Sequence, residues 1–306
     1  MTFPRIVTGF ILAVIAFMLD LGPARALEPG AHPPYLTGSS AGVPIGVVPP
    51  PAFYVSNLMT YLDLQYSPDT RPGPRSLRTF SDALTVLWVP DVTILGARYG
   101  AAIQQAFVEK TVTGIPPRAA RSTETGLNNT LISPLNLGWT LPGDLFVSAR
   151  LGVHLPTGHY SRNNLVNIAN SFWTFEPNVG ISYLKDGFDI SVRLLYDIMT
   201  ENTDSNARGS VHNRYRSGNV FTADYTVSQA FGSWRFGVTG YGVQQTHDDS
   251  ADGHRLRDTK FSRFGIGPLI EYNARWIGVN AYYVRDVTWT DTFGGDNVYL
   301  RVTVRF

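Results

Sequence analysis

The sequence contains no cysteine, which excludes disulfide bonds, thiolate catalysis and metal sites built from thiolates. Lysine is also scarce, with three residues in the whole chain, so arginine supplies nearly all the positive charge. Arginine pairs with carboxylates in a planar, two-pronged geometry, and this bias favours charged networks in a confined space. We predict neither a metal site nor a cofactor.

Long apolar runs are nearly absent as well. The exception is Ile6 to Leu19, a run of about fourteen residues that follows Arg5 and precedes the small residues Ala24 and Ala26. A signal peptidase reads small residues at those two positions, and the run is short for a membrane helix, which needs roughly 20 residues. We predict that residues 1–26 are a cleaved signal peptide that exports the protein to the bacterial outer membrane. The alternative is an uncleaved anchor.

The remaining chain has no surplus of charge of either sign. Without Arg5, Arg25 and Asp20 it has 23 basic and 23 acidic residues, which gives no reason to expect a nucleic-acid partner. The mean hydropathy of −0.05 disfavours helical membrane spans. It is compatible with a β-barrel, in which only half of each strand faces lipid.

What the sequence does contain is alternation. In the stretch from Leu145 to Leu155, every second residue is apolar and the intervening residues are mostly polar or small. A period of two is typical of a β-strand with one apolar face. Such stretches recur from residue 52 to the C-terminal Phe306, and they are long and end in aromatic residues. This combination predicts an all-β fold, a transmembrane antiparallel β-barrel over residues 52–306.

Twelve strand-like stretches can be counted, and the gaps between them alternate in length. The predicted strands are 52–66, 78–89, 91–109, 126–141, 143–155, 171–185, 187–200, 213–230, 233–246, 257–272, 275–288 and 296–306. The predicted long loops are 67–77, 110–125, 156–170, 201–212, 247–256 and 289–295, and the other gaps are tight turns. Outer-membrane barrels have short periplasmic turns and longer extracellular loops, so we expect both termini in the periplasm.

The polar parity of the strands predicts which side chains line the lumen. The candidates are Asp63, Arg98, Asn136, Phe146, Arg150, Glu176, Asn178, Asp189, Arg193, Asp224, Arg235, Tyr241, Glu271, Asn280, Tyr282, Tyr299 and Arg301. The charges could form an internal network that fixes the shape of the barrel, or a subset could line a conduit. Because both signs are interspersed, the pattern favours a neutral solute over a selected ion.

Residues 27–51 form a segment rich in proline and glycine that has no periodicity. Such a composition predicts neither strand nor helix. Its apolar residues, among them Tyr35, Leu36, Val43 and Ile45, exceed what a solvated tail needs. We therefore predict that the segment folds back into the lumen as a plug, with a flexible periplasmic leader as the alternative.

His159-Tyr160-Ser161 is the sharpest enzyme-like motif. Outer-membrane phospholipase A is a twelve-stranded barrel with a His-x-Ser pair, in which the histidine acts as base for a serine nucleophile. Here Pro156 and Gly158 precede the motif and predict a loop instead of a strand. We therefore predict no catalytic residues.

Four segments carry a family resemblance. They are YLTGSSAGVPIGVVPPPAFYVSN at 35–57, LGVHLPTGHYS at 151–161, NLVNIANSFWTFEPNVGISYLKDG at 164–187 and GIGPLIEY at 265–272. Together they resemble a family of outer-membrane transporters associated with the meta-pathway of phenol degradation. The resemblance implies a channel for passive uptake of small, mostly neutral aromatic or hydrophobic compounds.

Two alternatives remain open: a phospholipase-like hydrolase, and a structural or adhesive barrel that acts through its extracellular loops. The expected partners are outer-membrane lipid, small organic solutes and the barrel-assembly machinery, which would read the C-terminal Phe306.

Overall fold

The computed structural model of the protein describes residues 27, 32–67, 76–115, 120–164, 166–205 and 214–306. The predicted signal peptide lies outside these residues. Within them, no helix is long and apolar enough to cross a membrane.

The described chain is built from β-strands. In chain order they are β1 (Ala52–Tyr66), β2 (Ser76–Val89), β3 (Thr93–Ile94), β4 (Ala97–Ile115), β5 (Ala120–Leu127), β6 (Thr130–Leu141), β7 (Leu145–Leu155), β8 (Thr174–Lys185), β9 (Phe188–Met199), β10 (Tyr215–Arg216), β11 (Val220–Phe231), β12 (Trp234–Gln245), β13 (Ser250–Ala251), β14 (His254–Arg255), β15 (Ser262–Asn273), β16 (Ile277–Thr290) and β17 (Phe293–Arg305).

Twelve of these strands form a closed antiparallel barrel. β1 pairs with β2 on one side and with the last strand, β17, on the other, so that Met59 lies opposite both Asp82 and Leu300. The remaining neighbours are β2–β4, β4–β6, β6–β7, β7–β8, β8–β9, β9–β11, β11–β12, β12–β15, β15–β16 and β16–β17. The prediction of a twelve-stranded antiparallel barrel is confirmed.

The two faces of the barrel wall follow the period of two. In β8, Glu176 is fully buried, whereas its neighbours Phe175 and Val179 are 42% and 41% exposed on the outer face. Aromatic pairs lie on the outer face at the end of the barrel that carries the tight turns, for example Phe53 against Trp88. An apolar outer face with aromatic residues near one end is typical of a barrel that spans a membrane.

The tight turns use residues that tolerate a positive φ. Asp186 and Gly187 join β8 to β9 with φ angles of 51° and 80°, and Gly143 and Asp144 join β6 to β7 with 80° and 62°. Glycine adopts this conformation without a steric penalty, and aspartate does so more readily than most residues. The strands on both sides of such a turn are therefore held in register.

Two predicted loops differ from the structure. The predicted loop 110–125 is mostly strand, because β4 continues to Ile115 and pairs with β5. The β-branched residues around Thr111 and Val112 favour a strand there, despite the polar composition. The predicted loop 289–295 is a tight turn centred on Asp291, which has a φ of 54°.

Candidate functional site: the interior of the barrel

The interior of the barrel contains residues 32–51, which we call the luminal segment. Residues 36–42 form successive turns, with Ser39 N–H donating to the Leu36 carbonyl and Ala41 N–H donating to the Gly38 carbonyl, each at 3.0 Å. Gly38 has a φ of 79°, and a side chain there would meet the ring of Tyr241 at 2.9 Å. The glycine therefore allows the turn to lie against the barrel wall.

Asp224, on the inner face of β11, holds one side of this turn. Its carboxylate accepts hydrogen bonds from the Ser40 hydroxyl at 2.6 Å, from the Ser40 N–H at 3.1 Å and from the Gly38 N–H at 3.1 Å. The Tyr35 hydroxyl also donates to it. A buried carboxylate with four donors is a strong local anchor, since hydrogen bonds to charged groups contribute about 1.5–3 kcal/mol each.

Strands β16 and β17, which lie three and four strands from β11 around the barrel, hold the carbonyl groups of the same turn. The Tyr282 hydroxyl donates to the Gly38 carbonyl at 2.9 Å, and the Tyr299 hydroxyl donates to the Thr37 carbonyl at 2.7 Å. Arg301 donates to the Ala41 carbonyl at 3.0 Å. The two tyrosine rings are stacked, with centroids 4.5 Å apart. The turn is therefore hydrogen-bonded to wall strands on two of its sides.

The end of the luminal segment runs along β6, β7 and β8. Gly46 N–H donates to the Ser182 hydroxyl, and the Ser148 hydroxyl donates to the Ile45 carbonyl, each at 2.8 Å. A side chain at Gly180 would lie 2.5 Å from the Ile45 carbonyl oxygen. Glycine at this wall position leaves the space that the backbone of the segment occupies.

The four predicted plug residues all lie in this segment. Tyr35 is buried beside Asp224 and beneath the guanidinium group of Arg193, which is 5.5 Å from its ring centre. Leu36 packs against the buried apolar cluster described below. Val43 and Ile45 are half-buried.

An apolar cluster fills part of the interior. Its members come from the inner faces of several strands and from three segments outside the strands, and they are Ala41, Leu58, Leu62, Leu64, Ala83, Phe172, Met199, Val220, Tyr241, Val243, Phe261, Leu269, Tyr282, Val284 and Tyr299. Because β1 has large apolar residues on its inner face, the wall is not uniformly polar inside.

The long connection between β7 and β8 folds towards the interior as well. Val166, Ile168 and Phe172 are buried, and the Lys110 ammonium group donates to the Asn167 carbonyl at 2.7 Å. The connection contacts the luminal segment, because a ring nitrogen of His32 lies 2.8 Å from the Ile168 carbonyl oxygen. Burial, and next the charge of Lys110, lowers the pKa of His32 to about 3, so its ring is neutral at neutral pH.

The charged candidates mostly form pairs within the wall. Glu176 lies between Arg193 and His154, each with a nitrogen 3.1 Å from a carboxylate oxygen. Arg235 lies 3.6 Å from both Asp189 and Glu271. Arg150 donates to the Ser133 hydroxyl, and Arg98 donates to the Val48 carbonyl. Phe146 is half-buried and has the same parity as Arg150. The uncharged candidates that are buried on inner faces are Asn136, Asn178 and Asn280.

Asp63 does not belong to this set. Leu58, Leu62 and Leu64 occupy the inner face of β1, so the opposite parity places Asp63 outside. There it lies 3.4 Å from the guanidinium group of Arg78.

Comparisons with known proteins agree with this geometry. Residues 63–302 match the model of the family described as MetA-pathway of phenol degradation. The chain belongs to this family. A search of curated proteins found no match.

Solved structures show the same fold at low sequence identity. An outer membrane channel from Pseudomonas putida F1 is similar with a TM-score of 0.73 and 12% identity, over 85% of this chain and 97% of that chain. The transport unit of the autotransporter AIDA-I from Escherichia coli has a TM-score of 0.54 and 8% identity, over 83% and 90%. The translocator domain of NalP from Neisseria meningitidis has a TM-score of 0.50 and 14% identity, over 83% and 88%.

A second polar cluster lies on the inner faces of β15, β16 and β17 in this member of the phenol-degradation family. The sequence analysis did not predict it. Arg263 on β15 lies 2.8 Å from the Asp286 carboxylate and 2.8 Å from the Asn297 amide oxygen, and it also donates to the Tyr241 hydroxyl. Asp286 in turn accepts the Gly295 N–H at 2.8 Å. Parity was a usable signal for Asp286, which shares the inner face of β16 with Asn280 and Tyr282.

The His159-Tyr160-Ser161 motif lies in the connection after β7. The backbone N–H of His159 donates to the Leu127 carbonyl at 2.8 Å, and the Ser161 hydroxyl accepts the Asn163 N–H at 3.3 Å. In the described part of the chain, no hydrogen bond joins the His159 ring to the Ser161 hydroxyl. The two side chains are therefore not arranged as a base and its nucleophile.

A small sheet of β10, β13 and β14 lies at the end of the barrel that carries the long loops. Asp249 is buried there and accepts hydrogen bonds from the Tyr215 hydroxyl at 2.6 Å and the Gly218 N–H at 2.7 Å. Burial raises the pKa of Asp249 to about 6, although these hydrogen bonds act in the opposite direction. The carboxylate is therefore mostly ionised at neutral pH.

Proposed function

We propose that the protein is an outer-membrane channel for the passive uptake of small, mostly neutral aromatic or hydrophobic compounds. The luminal segment would be its constriction. The proposal is compatible with the family to which the chain belongs, whose description names phenol degradation. It is also compatible with the fold that the chain shares with a channel from Pseudomonas putida F1.

The observation that carries the proposal is the apolar cluster inside the barrel. A lumen that passed only water-soluble ions would gain nothing from Leu58, Leu62 and Val284 on its inner wall, because polar side chains solvate such ions better. Apolar side chains next to stacked tyrosines instead suit a solute with an aromatic or aliphatic body. A few hydroxyl groups at the same level could orient a phenolic oxygen.

The luminal segment suits the role of a constriction because hydrogen bonds that can be exchanged for water hold its central turn. Asp224, Tyr282 and Tyr299 bind its backbone or its small polar side chains. Displacing the turn between these walls would widen the passage without unpairing any barrel strand. Each hydrogen bond lost to water costs about 0.5–1.5 kcal/mol net for neutral groups and about 1.5–3 kcal/mol for the Asp224 carboxylate, so the bonds to Asp224 dominate the cost of displacement.

The location and orientation belong to the same proposal. We propose that a signal peptide of 26 residues is cleaved, that both ends of the barrel, Ala52 and Arg305, face the periplasm, and that the barrel-assembly machinery reads Phe306. Leu27 lies at the rim that carries the long loops, where its carbonyl accepts the Tyr215 hydroxyl at 3.5 Å. In this orientation, the expectation of two periplasmic termini therefore holds for the carboxyl terminus and not for the amino terminus of the cleaved chain. The apolar outer face would contact membrane lipid. We also propose that the protein is not an enzyme, since the serine hydroxyl of the one enzyme-like motif accepts the Asn163 N–H and no described hydrogen bond joins it to the His159 ring.

Removal of residues 28–46 from the full chain tests the proposal. In planar bilayers we expect a higher single-channel conductance than for the wild type, and in liposomes a weaker discrimination between solutes. The flux series compares phenol, toluate, sugars and amino acids, with empty liposomes as the background for compounds that cross lipid unaided.

The deletion variant must first show the heat-dependent electrophoretic shift of a folded barrel. A correctly folded variant with wild-type conductance would refute the constriction. Wild-type flux of sugars and amino acids equal to that of toluate would refute the preference for aromatic solutes.

A further inference from the structure

We propose that His154, Glu176 and Asp197 bind a divalent transition-metal ion of the zinc class. The three residues lie on the inner faces of the adjacent strands β7, β8 and β9. Each offers one ligand atom, and these atoms all lie within 4.8 Å of one another. The barrel pairing holds the three backbones in fixed register, so the grouping follows from the sheet itself.

Asp197 has unused capacity to bind a cation. Its side chain is fully buried, and neither carboxylate oxygen has a hydrogen-bond partner of good geometry among the described residues, although the backbone N–H of Tyr35 and the guanidinium group of Arg193 lie nearby. Within the same part of the chain it forms no ion pair, since the nearby Arg193 is paired with Glu176. A buried carboxylate without a close partner is costly, and either a bound proton or a coordinated cation compensates it. A metal ion at this site would replace the proton.

Glu176 is already oriented as a metal ligand. Its Oε1 accepts hydrogen bonds from Arg193 and from the Asn178 amide, each at 3.1 Å, which leaves Oε2 directed towards His154. The His154 Nε2 lies 3.1 Å from Oε2. Ligand atoms of a tetrahedral zinc ion are about 3.4 Å apart, so this pair is close to the required separation. Hydrogen bonds to the other oxygen are typical of the groups that orient metal ligands.

The donor set selects the class of ion. One imidazole nitrogen and two carboxylate oxygens suit zinc and its neighbours in the first transition row. Calcium takes six to eight oxygen ligands, roughly twice what this cluster offers, and magnesium demands an octahedral oxygen shell. Three protein ligands leave a fourth position for water. The Asp197 oxygen would have to move by no more than about 1.4 Å to reach tetrahedral spacing.

Cobalt(II) is a suitable probe, because its visible absorption distinguishes tetrahedral from octahedral coordination. The full chain is unfolded, stripped of metal and refolded with or without Co²⁺, so that a closed lumen cannot block access. We expect one Co²⁺ per chain with an intense tetrahedral spectrum that Zn²⁺ displaces. The substitutions Asp197→Asn and His154→Gln should weaken binding by more than about 10-fold.

Two matched variants control for the general loss of a charge or an imidazole. Asp189→Asn removes another buried carboxylate on β9, and His159→Gln removes a histidine outside the cluster, so both should bind Co²⁺ as the wild type does. Folding of each variant is checked by its heat-dependent electrophoretic shift. Absence of saturable binding by the refolded wild type would overturn the proposal, even if no variant folded. Equal binding by folded Asp197→Asn would also overturn it.

Discussion

At the scale of single residues, the interior is organised by side chains that bind backbone groups of the luminal segment. Asp224 is the most connected of them, with the hydroxyl and N–H of Ser40 and the N–H of Gly38 among its donors. A carboxylate can serve four donors at once because it only accepts hydrogen bonds. Asp224 therefore holds several donors of the turn at once, and Thr226 on the same strand accepts a further one, the Gly42 N–H, at 2.8 Å.

Substitution of Asp224 by alanine should release this side of the turn. We expect Asp224→Ala to fold as a barrel and to show longer or more frequent openings in planar bilayers, because several charge-assisted hydrogen bonds disappear together. Asp189→Ala is the matched control, since Asp189 is equally buried but pairs with Arg235 and Ser191 and not with the luminal segment. The same opening frequency in both variants would contradict the anchoring role.

Gly180 allows a second test, by steric exclusion. A Cβ atom at this position would lie 2.5 Å from the Ile45 carbonyl oxygen, so Gly180→Val should push the luminal segment from the wall and raise the conductance. Gly152→Ala is the control, because the nearest atom there belongs to the flexible side chain of Leu131 at 3.1 Å. Conductance changes of equal size in both variants would show that the segment does not set the width of the passage.

At the scale of strands, alternation predicted the inner and outer faces wherever the two faces differ in polarity. In β8 the contrast between Glu176 and Phe175 leaves one possible orientation. In β1 both faces carry large apolar residues, so one polar residue was a poor guide and Asp63 was assigned to the wrong face. Parity is informative only when burial and solvation demand different side chains on the two sides.

The contacts of the luminal segment with the barrel wall could not be predicted from the sequence. Its partners Asp224, Tyr282 and Tyr299 are separated from it by most of the chain, and only closure of the barrel between β1 and β17 brings them together. The sequence could indicate that a proline- and glycine-rich segment with apolar residues needs a covered position. It could not specify which hydroxyl groups meet which carbonyl groups.

The outer face of β7 allows a graded test of the membrane-facing surface. Leu151 lies near the middle of this strand and is 36% exposed, whereas Val147 lies opposite Trp139, close to the tight turn. An arginine at the middle of the membrane costs about 2–4 kcal/mol and near the interface about 0–1 kcal/mol. We therefore expect Leu151→Arg to reduce folding yield and urea resistance far more than Val147→Arg.

Arg150→Gln supplies the comparison on the inner face of the same strand. Its guanidinium group donates to the Ser133 hydroxyl inside the barrel, so this variant should insert and fold, with any effect confined to the lumen. If Arg150→Gln failed to insert while Leu151→Arg inserted normally, the assignment of the two faces would be inverted.

At the scale of the whole molecule, an even number of strands places both ends of the barrel at the same rim as the tight turns. The first and last strands meet there, with Tyr54 opposite Arg305. The longer connections, including the one that folds onto His32, lie at the other rim. A solute that entered between the long loops would thus meet the loop after β7 together with the first residue of the luminal segment, His32, and then the turn at residues 36–42.

The absence of cysteine makes this orientation directly measurable, because any introduced cysteine is the only thiol in the chain. His254→Cys lies in the exposed hairpin of β13 and β14, and Ser233→Cys lies in the exposed tight turn between β11 and β12. If the long loops are extracellular, a membrane-impermeant maleimide should label His254→Cys on intact cells. It should label Ser233→Cys only after the outer membrane is permeabilised.

Both variants keep the barrel strands unchanged and should label equally in detergent, which controls for the reactivity of the thiol itself. Labelling of permeabilised cells shows whether each thiol is accessible in the membrane-embedded protein from at least one side. Labelling of Ser233→Cys on intact cells with protection of His254→Cys would reverse the orientation. The luminal segment would then close the passage from the outside, and Phe306 would lie where a periplasmic assembly factor could not reach it in the finished barrel.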